Sequence, residues 1–144
     1  MKKGIFCIIG MLCLTGCGTK TLNCSMINDA NEELKMTQNI ITTYKKDALT
    51  RMDMRIIVDF SDNYASYSDD LEKNLKETYQ NYEGKKGIEI DTTRKDKTVT
   101  LTFMADLDKM DNDTKKDFDL VGTGEKLSEV KADLEQQGYT CKEA

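Results

Sequence analysis

The sequence predicts an α+β fold: one antiparallel sheet of about five strands with two main helices packed on one face, in the chain order β-β-β-α-β-β-α. Three observations carry this reading. Two long runs, 34–44 and 52–60, alternate apolar and polar residues with period two, which gives one buried and one solvated face. Apolar residues then recur at spacings of three and four between Tyr64 and Tyr82, the stripe of an amphipathic helix. A second, shorter pair of alternating runs follows at 88–91 and 98–103.

Each element has its own local reason. Leu22-Asn23-Cys24-Ser25-Met26 alternates and reads as a first strand, and Asn28-Asp29-Ala30-Asn31 has the composition of a turn. In the second strand Leu34, Met36, Ile40 and Tyr44 share one side, while Lys35, Thr37, Asn39 and Thr43 take the other. Lys45-Lys46-Asp47 makes a hairpin connection to a third strand. There Met52, Met54, Ile56, Val58 and Phe60 oppose Arg51, Asp53, Arg55 and Asp59. Ser61 or Asp62 suits a helix cap, and the helix stripe runs through Tyr64, Tyr67, Leu71, Leu75, Thr78 or Tyr79, and Tyr82 to a stop at Gly84. Ile88 and Ile90 pair with Val99, Leu101 and Phe103 across a turn at 94–97. Leu107, Met110, Thr114, Phe118 and Val121 suggest a short amphipathic helix or an irregular turn. Thr123-Gly124-Glu125 opens a final helix carrying Leu127, Val130 and Leu134 and closed by Gly138. Tyr139-Thr140-Cys141 is extended and returns to the first strand. Short turns make the sheet antiparallel, and each helix needs a sheet face to cover.

The N-terminal stretch has a different character. Met1-Lys2-Lys3 precedes an apolar run from Gly4 to Leu14. A spanning helix needs roughly 20 apolar residues, so this run is too short to span and instead suits the apolar core of a signal peptide. It ends in Leu14-Thr15-Gly16-Cys17, which resembles the lipobox of bacterial lipoproteins: Leu, a small residue, Gly or Ala, then an obligatory Cys. The resemblance implies that residues 1–16 are removed and that the Cys17 thiol carries a diacylglycerol. Residues 17–22 would then be the anchor and a short spacer, and residues 23–144 a single globular domain. The protein would sit at the extracytoplasmic face of the cell membrane, and two acyl chains suffice for stable anchoring. The competing reading is an ordinary secretory signal whose cysteines are apolar filler.

Charge and cysteine usage narrow the partners. The whole chain carries a formal charge of −5, and Lys2 and Lys3 are the only charges of the signal. An acidic domain is unsuited to nucleic acid or to docking on anionic headgroups. Of the five cysteines, Cys7 and Cys13 leave with the signal and Cys17 is lipidated. Cys24 and Cys141 remain at opposite ends of the domain, a candidate disulfide in an oxidising compartment. The alternatives are two buried thiols or a redox pair, and the Cys-x-x-Cys spacing of a redox pair is missing.

Candidate chemistry is sparse. There is no histidine to serve as base for a Ser or Cys nucleophile or as a metal ligand, and the expectation is a non-enzyme without a cofactor. Gly122-Thr123-Gly124 lacks the third glycine and the lysine of a phosphate loop and reads as a turn with an N-cap. Asp106, Asp108, Asp111 and Asp113, continued by Asp117 and Asp119, form an oxygen-rich run suited to calcium. The run lacks the turn glycine and closing glutamate of an EF-hand, and Lys109, Lys115 and Lys116 interrupt it; a solvated charged face is the other reading. Tyr64, Tyr67, Tyr79 and Tyr82 suit either a ligand platform or the core.

A cysteine shortly after the anchor, paired β runs, a Tyr-rich helix, a second hairpin, a C-terminal helix and then Gly138-Tyr139-Thr140-Cys141 resemble the YehR-like small lipoproteins of the bacterial surface. The resemblance implies an α+β fold, a surface location and a terminal disulfide; it brings no catalytic residues. The expected role is a lipid-anchored binding or interaction domain that holds an envelope protein, peptide or wall ligand near the membrane. The alternatives are a solute-capturing accessory lipoprotein, for which one domain leaves no room for a two-lobed clamp, and a small envelope enzyme using paired carboxylates such as Asp59 and Asp62.

Overall fold

The computed structural model describes residues 18–118 and 126–144. The lipobox positions Leu14, Thr15, Gly16 and Cys17, and the Gly122-Thr123-Gly124-Glu125 stretch, lie outside these residues. Among the described residues six strands form one sheet: β1 (Thr19–Asn31), β2 (Leu34–Lys45), β3 (Ala48–Phe60), β4 (Ile88–Lys95), β5 (Thr98–Asp106) and β6 (Thr140–Glu143). Their spatial order is β4-β5-β3-β2-β1-β6, and every neighbouring pair is antiparallel. The helices are α1 (Tyr67–Tyr79), a short α2 (Asn112–Asp117) and α3 (Leu127–Gln136). Among the described residues no helix is long and apolar enough to cross a membrane.

The class is the expected one, with corrections in detail. The sheet has six strands instead of about five, and the chain order gains α2 and a terminal β6. The extra strand arises because Cys141 sits opposite Cys24, which extends the return of the chain into a paired edge over Leu22–Ser25. Asn28-Asp29-Ala30-Asn31 is not the turn: β1 continues through it with a register shift between Asn28 and Asn31, and the chain reverses at Glu32-Glu33. Turn-forming residues mark irregular pairing here, which a strand accommodates as a bulge. The stretch 18–22 expected as spacer is mostly strand, since β1 begins at Thr19.

Both longer helices cover the same face. α3 rests on β1 and β6, and α1 on β4 and β5. Leu22, Cys24, Tyr44, Leu127 and Tyr139 make one core cluster, and Ile88, Phe103, Ala105, Leu107 and Met110 make the second. The strand register explains the grouping: Leu22 pairs with Thr42, Thr42 with Met52, Met52 with Ala105 and Ala105 with Ile88, one continuous row beneath the helices. Arg94 lies on this side too, and its guanidinium ties β4 to α1 through Glu72 at 3.1 Å and Asp69 at 2.7 Å. α3 starts with the Lys126 N–H donating to Glu129 Oε2 at 3.0 Å.

α2 begins with a side-chain cap: Thr114 N–H donates to Asp111 Oδ1 at 2.7 Å. That bond holds the Asp111 carboxyl below its ordinary value. Glu72 is lowered by its hydrogen bond to Lys76 first and then by Arg94, and Asp106 by Lys109. Lowered folded-state values mean that the unfolded chain binds more protons in acid. This stabilisation is complete above the ordinary carboxylate range and is lost as pH falls through that range and below it. The urea midpoint is expected to be lower at about pH 3 than at about pH 6. Asp111→Asn, which keeps an amide oxygen at the cap but has no proton to gain, is expected to show a shallower acid loss. An unchanged slope would exclude the cap as a contributor.

Candidate functional site

Among the described residues the sheet face opposite the helices is uncovered, and it is concave. Six antiparallel strands carry a cumulative right-handed twist, which curls a sheet of this width. The curl leaves a depression of about 850 Å³ across the middle of all but the ends of the strands. Two adjacent rows of side chains line it. One runs Lys142, Asn23, Ile41, Asp53, Met104, Glu89 from β6 to β4. The next runs Thr140, Ser25, Asn39, Arg55, Thr102, Asp91. Short amides and hydroxyls therefore occupy the β1 side, an arginine-rich centre lies on β3, and carboxylates occupy the β4 edge.

At the centre Arg51 and Asp53, two residues apart on one face of β3, form a fork: Nε donates to Oδ2 and the terminal nitrogen to Oδ1, both at 2.7 Å. This hydrogen bond, with further help from the charges of Asp53, Asp106 and Glu89, holds the guanidinium more firmly protonated than usual. Arg55, next along the same face, is exposed and makes no ion pair among the described residues. Beside these charges are apolar groups. Ile41 is 40% exposed and Met104 is half-buried. The depression can therefore take an apolar group against Ile41 and Met104 and an anion at Arg55.

The sequence carried a signal for this face that the simple alternation conceals. Ile40-Ile41, Ile56-Ile57 and Phe103-Met104 are adjacent apolar pairs in strands that otherwise alternate, so one member of each pair must lie on the face away from the helices.

Cys24 and Cys141 are joined by a disulfide with Cα atoms 4.1 Å apart. Thr21 and Ala144 exchange both backbone hydrogen bonds. Three positions further along, Cys24 and Cys141 therefore fall on a non-hydrogen-bonded pair, where opposing residues approach most closely. Asp106 pairs with Lys109 at 2.6 Å, Asp113 lies 3.6 Å from Lys116, Asp111 caps α2 and Asp108 is exposed. Among the described residues no group of three or more acidic, cysteine or histidine side chains is placed to share a metal ion. Asp119 lies outside the described residues. Asp59 accepts from the Thr98 hydroxyl, while Asp62 pairs with Lys97 at 2.6 Å, so each has its own partner. The tyrosines divide into separate groups: Tyr64 stacks on Tyr67 with centroids 5.9 Å apart, whereas Tyr82 packs on Phe118 at 4.5 Å, next to Phe103.

No family model matches the chain, and no curated protein does. Two solved structures are similar in fold. The NMR structure of the E. coli YehR protein matches with a TM-score of 0.56 and 14% identity, covering 86% of this chain and 89% of that one. The NMR structure of a protein from Streptococcus pneumoniae TIGR4 matches with a TM-score of 0.53 and 15% identity, covering 99% of this chain and 96% of that one. At these identities the similarity is one of fold, and a YehR-like α+β fold is what the chain has.

Proposed function

We propose that this chain is a lipid-anchored lipoprotein of the bacterial envelope, held by a diacylglycerol on Cys17 at the extracytoplasmic face of the membrane, and that it binds through its uncovered sheet face. The supporting observation is the depression itself, because it sets Arg55, which has no ion pair among the described residues, beside the exposed Ile41 and the half-buried Met104 on a face that no described helix covers. Exposed apolar surface rimmed by polar groups marks an interaction site. The ligand chemistry that fits is a carboxylate next to an apolar group, as in an envelope polypeptide or a wall peptide. The lining offers hydrogen bonds, charge and apolar contact, which suits binding. Cys24, the cysteine at its edge, is held in the disulfide.

A photo-crosslinking residue placed at Met104 in native membranes tests this reading, with one at Lys73 on the exposed surface of α1 as the comparison. Met104 is expected to yield a discrete adduct that Lys73 does not. Arg55→Gln is expected to reduce it several-fold, and Cys17→Ala to abolish it by releasing the domain from the membrane. Equal adducts at both positions would remove the sheet face as the binding surface.

A further inference from the structure

The position at which β1 begins fixes more than a strand boundary. Thr19 is already paired with Lys45, and the Gly18 carbonyl accepts from the Lys46 N–H at 3.0 Å. A Cβ built on Gly18 would lie 3.8 Å from Lys46 Cγ, so the β2–β3 turn stands directly against the first described residue. Cys17 immediately precedes Gly18. Two residues of chain reach at most about 7 Å, so a lipid on Cys17 leaves no tether between the bilayer and the sheet. Resting on the lipid-anchor reading above, we propose that the domain has a fixed orientation on the membrane, with the β2–β3 turn seated on anionic phospholipid headgroups.

The charges at this corner fit that surface. Lys45 and Lys46 are exposed at the turn, and Lys20 projects from β1 next to it, 61% exposed and 3.3 Å from Asp47. Basic residues held within a Debye length of an anionic leaflet are attracted to it. The opposite end of the same strands carries Glu32 and Glu33 at the β1–β2 turn. Asp47 and Glu143 also lie at the anchor end, and Lys35 and Lys95 toward the far one, so the seating rests on the three exposed lysines beside the attachment point and not on the charge of the acidic chain as a whole. The backbone of the turn is also unusual: Lys46 has φ 52° and Asp47 φ 63°, a left-handed pair that Asn-Gly adopts more readily. Lysine here meets no local backbone preference, whereas its charge suits the headgroups.

This orientation gives the uncovered face a height. At about 3.3 Å per strand residue, the Asn23 row of the depression stands roughly 20 Å from the attachment point. With strands rising from the bilayer the depression opens sideways, and its ligand is one that lies close to the membrane.

The experiment uses the full lipidated protein in vesicles of equal phosphatidylglycerol and phosphatidylcholine containing a headgroup spin-labelled lipid. Fluorophores are placed on Ala48→Cys, beside the turn, or on Glu32→Cys, at the far end. The Ala48 label is expected to be quenched at least threefold more than the Glu32 label. Replacing Lys45→Gln and Lys46→Asn is expected to reduce that quenching at least twofold, and asparagine tolerates the left-handed backbone, so the turn is kept. Intact mass reads the anchor separately. Lipidated protein with equal quenching at the two labels overturns the orientation, and quenching at Ala48 that is the same on pure phosphatidylcholine overturns the seating on anionic headgroups; both leave the anchor standing. Protein without the lipid mass on Cys17 overturns the anchor and the orientation together.

Discussion

Breaking the Cys24–Cys141 disulfide is expected to lower the stability of the domain by about 4–5 kcal/mol, in line with the chain-entropy cost of releasing a loop of more than 100 residues. The two cysteines are 117 residues apart, so the bond closes nearly the whole domain into one loop. The cross-link restricts the unfolded chain far more than the folded one, where β6 is already held beside β1 by Thr21 and Ala144 and is covered by α3. Cys141→Ser is the better variant, because Cys24 is 3% exposed and a hydroxyl there would add a burial cost of its own. Urea unfolding should show a lower midpoint and also a steeper dependence on denaturant, since the uncrosslinked chain exposes more surface when it unfolds. Reduction of the wild type should reproduce both changes. A loss below about 1 kcal/mol with an unchanged slope would mean that only the four-residue β6 detaches, and the entropic account would be wrong.

Much of this architecture is legible in the chain. Even-numbered Met52, Met54, Ile56, Val58 and Phe60 do lie on the helix-covered side, and the second hairpin and the closing helix fall where spacing puts them. The helix between Tyr64 and Tyr82, by contrast, is regular only over Tyr67–Tyr79, with 3-10 turns at both ends and Tyr67 exposed instead of packed in the stripe. The cysteine pair is legible from its placement, since Cys24 and Cys141 are the two cysteines that lie beyond the lipobox-like stretch. What was not legible has a common cause: it depends on partners distant in sequence. β6 is four residues long and has no periodicity of its own; it exists because β1 offers a free edge and the disulfide holds it there. The bulge in β1 reads as a turn because Asn28 and Asp29 favour both. The concavity is a property of six strands twisting together, and only the doubled apolar residues such as Ile40-Ile41 hint that its floor is partly greasy. The acidic run looks like one feature in sequence but resolves into a cap at Asp111 and separate local pairs at Asp106 and Asp113.

Gly87→Ala is expected to cost about 3 kcal/mol, several times more than Gly84→Ala three residues earlier, although both glycines have left-handed backbone. Gly84 has φ 76° and Gly87 φ 82°, so alanine pays a similar conformational cost at either, about 1 kcal/mol. The difference lies in what the new methyl meets. At Gly84 nothing lies within 4 Å. At Gly87 it would stand 2.7 Å from the Asp106 carbonyl oxygen, 2.7 Å from Met110 Cγ and 2.9 Å from the Met110 nitrogen. Two of these are backbone atoms, and neither strand end is free to move away. Asp106 N–H donates to the Gly87 carbonyl at 2.7 Å, and Leu107 N–H donates to Thr50. Met110 is itself 6% exposed within the cluster formed by Ile88, Phe103, Ala105 and Leu107. Relief of the clash must therefore either separate β4 from β5 at their paired ends or push Met110 out of the core, and overpacking of that kind costs roughly 1–3 kcal/mol beyond the backbone term. Matched urea titrations of the two variants isolate this contact, because the left-handed penalty cancels between them. Equal losses would show that the chain before β4 can shift without cost, and that the close approach of Gly87 to Asp106 does not hold the second core cluster together.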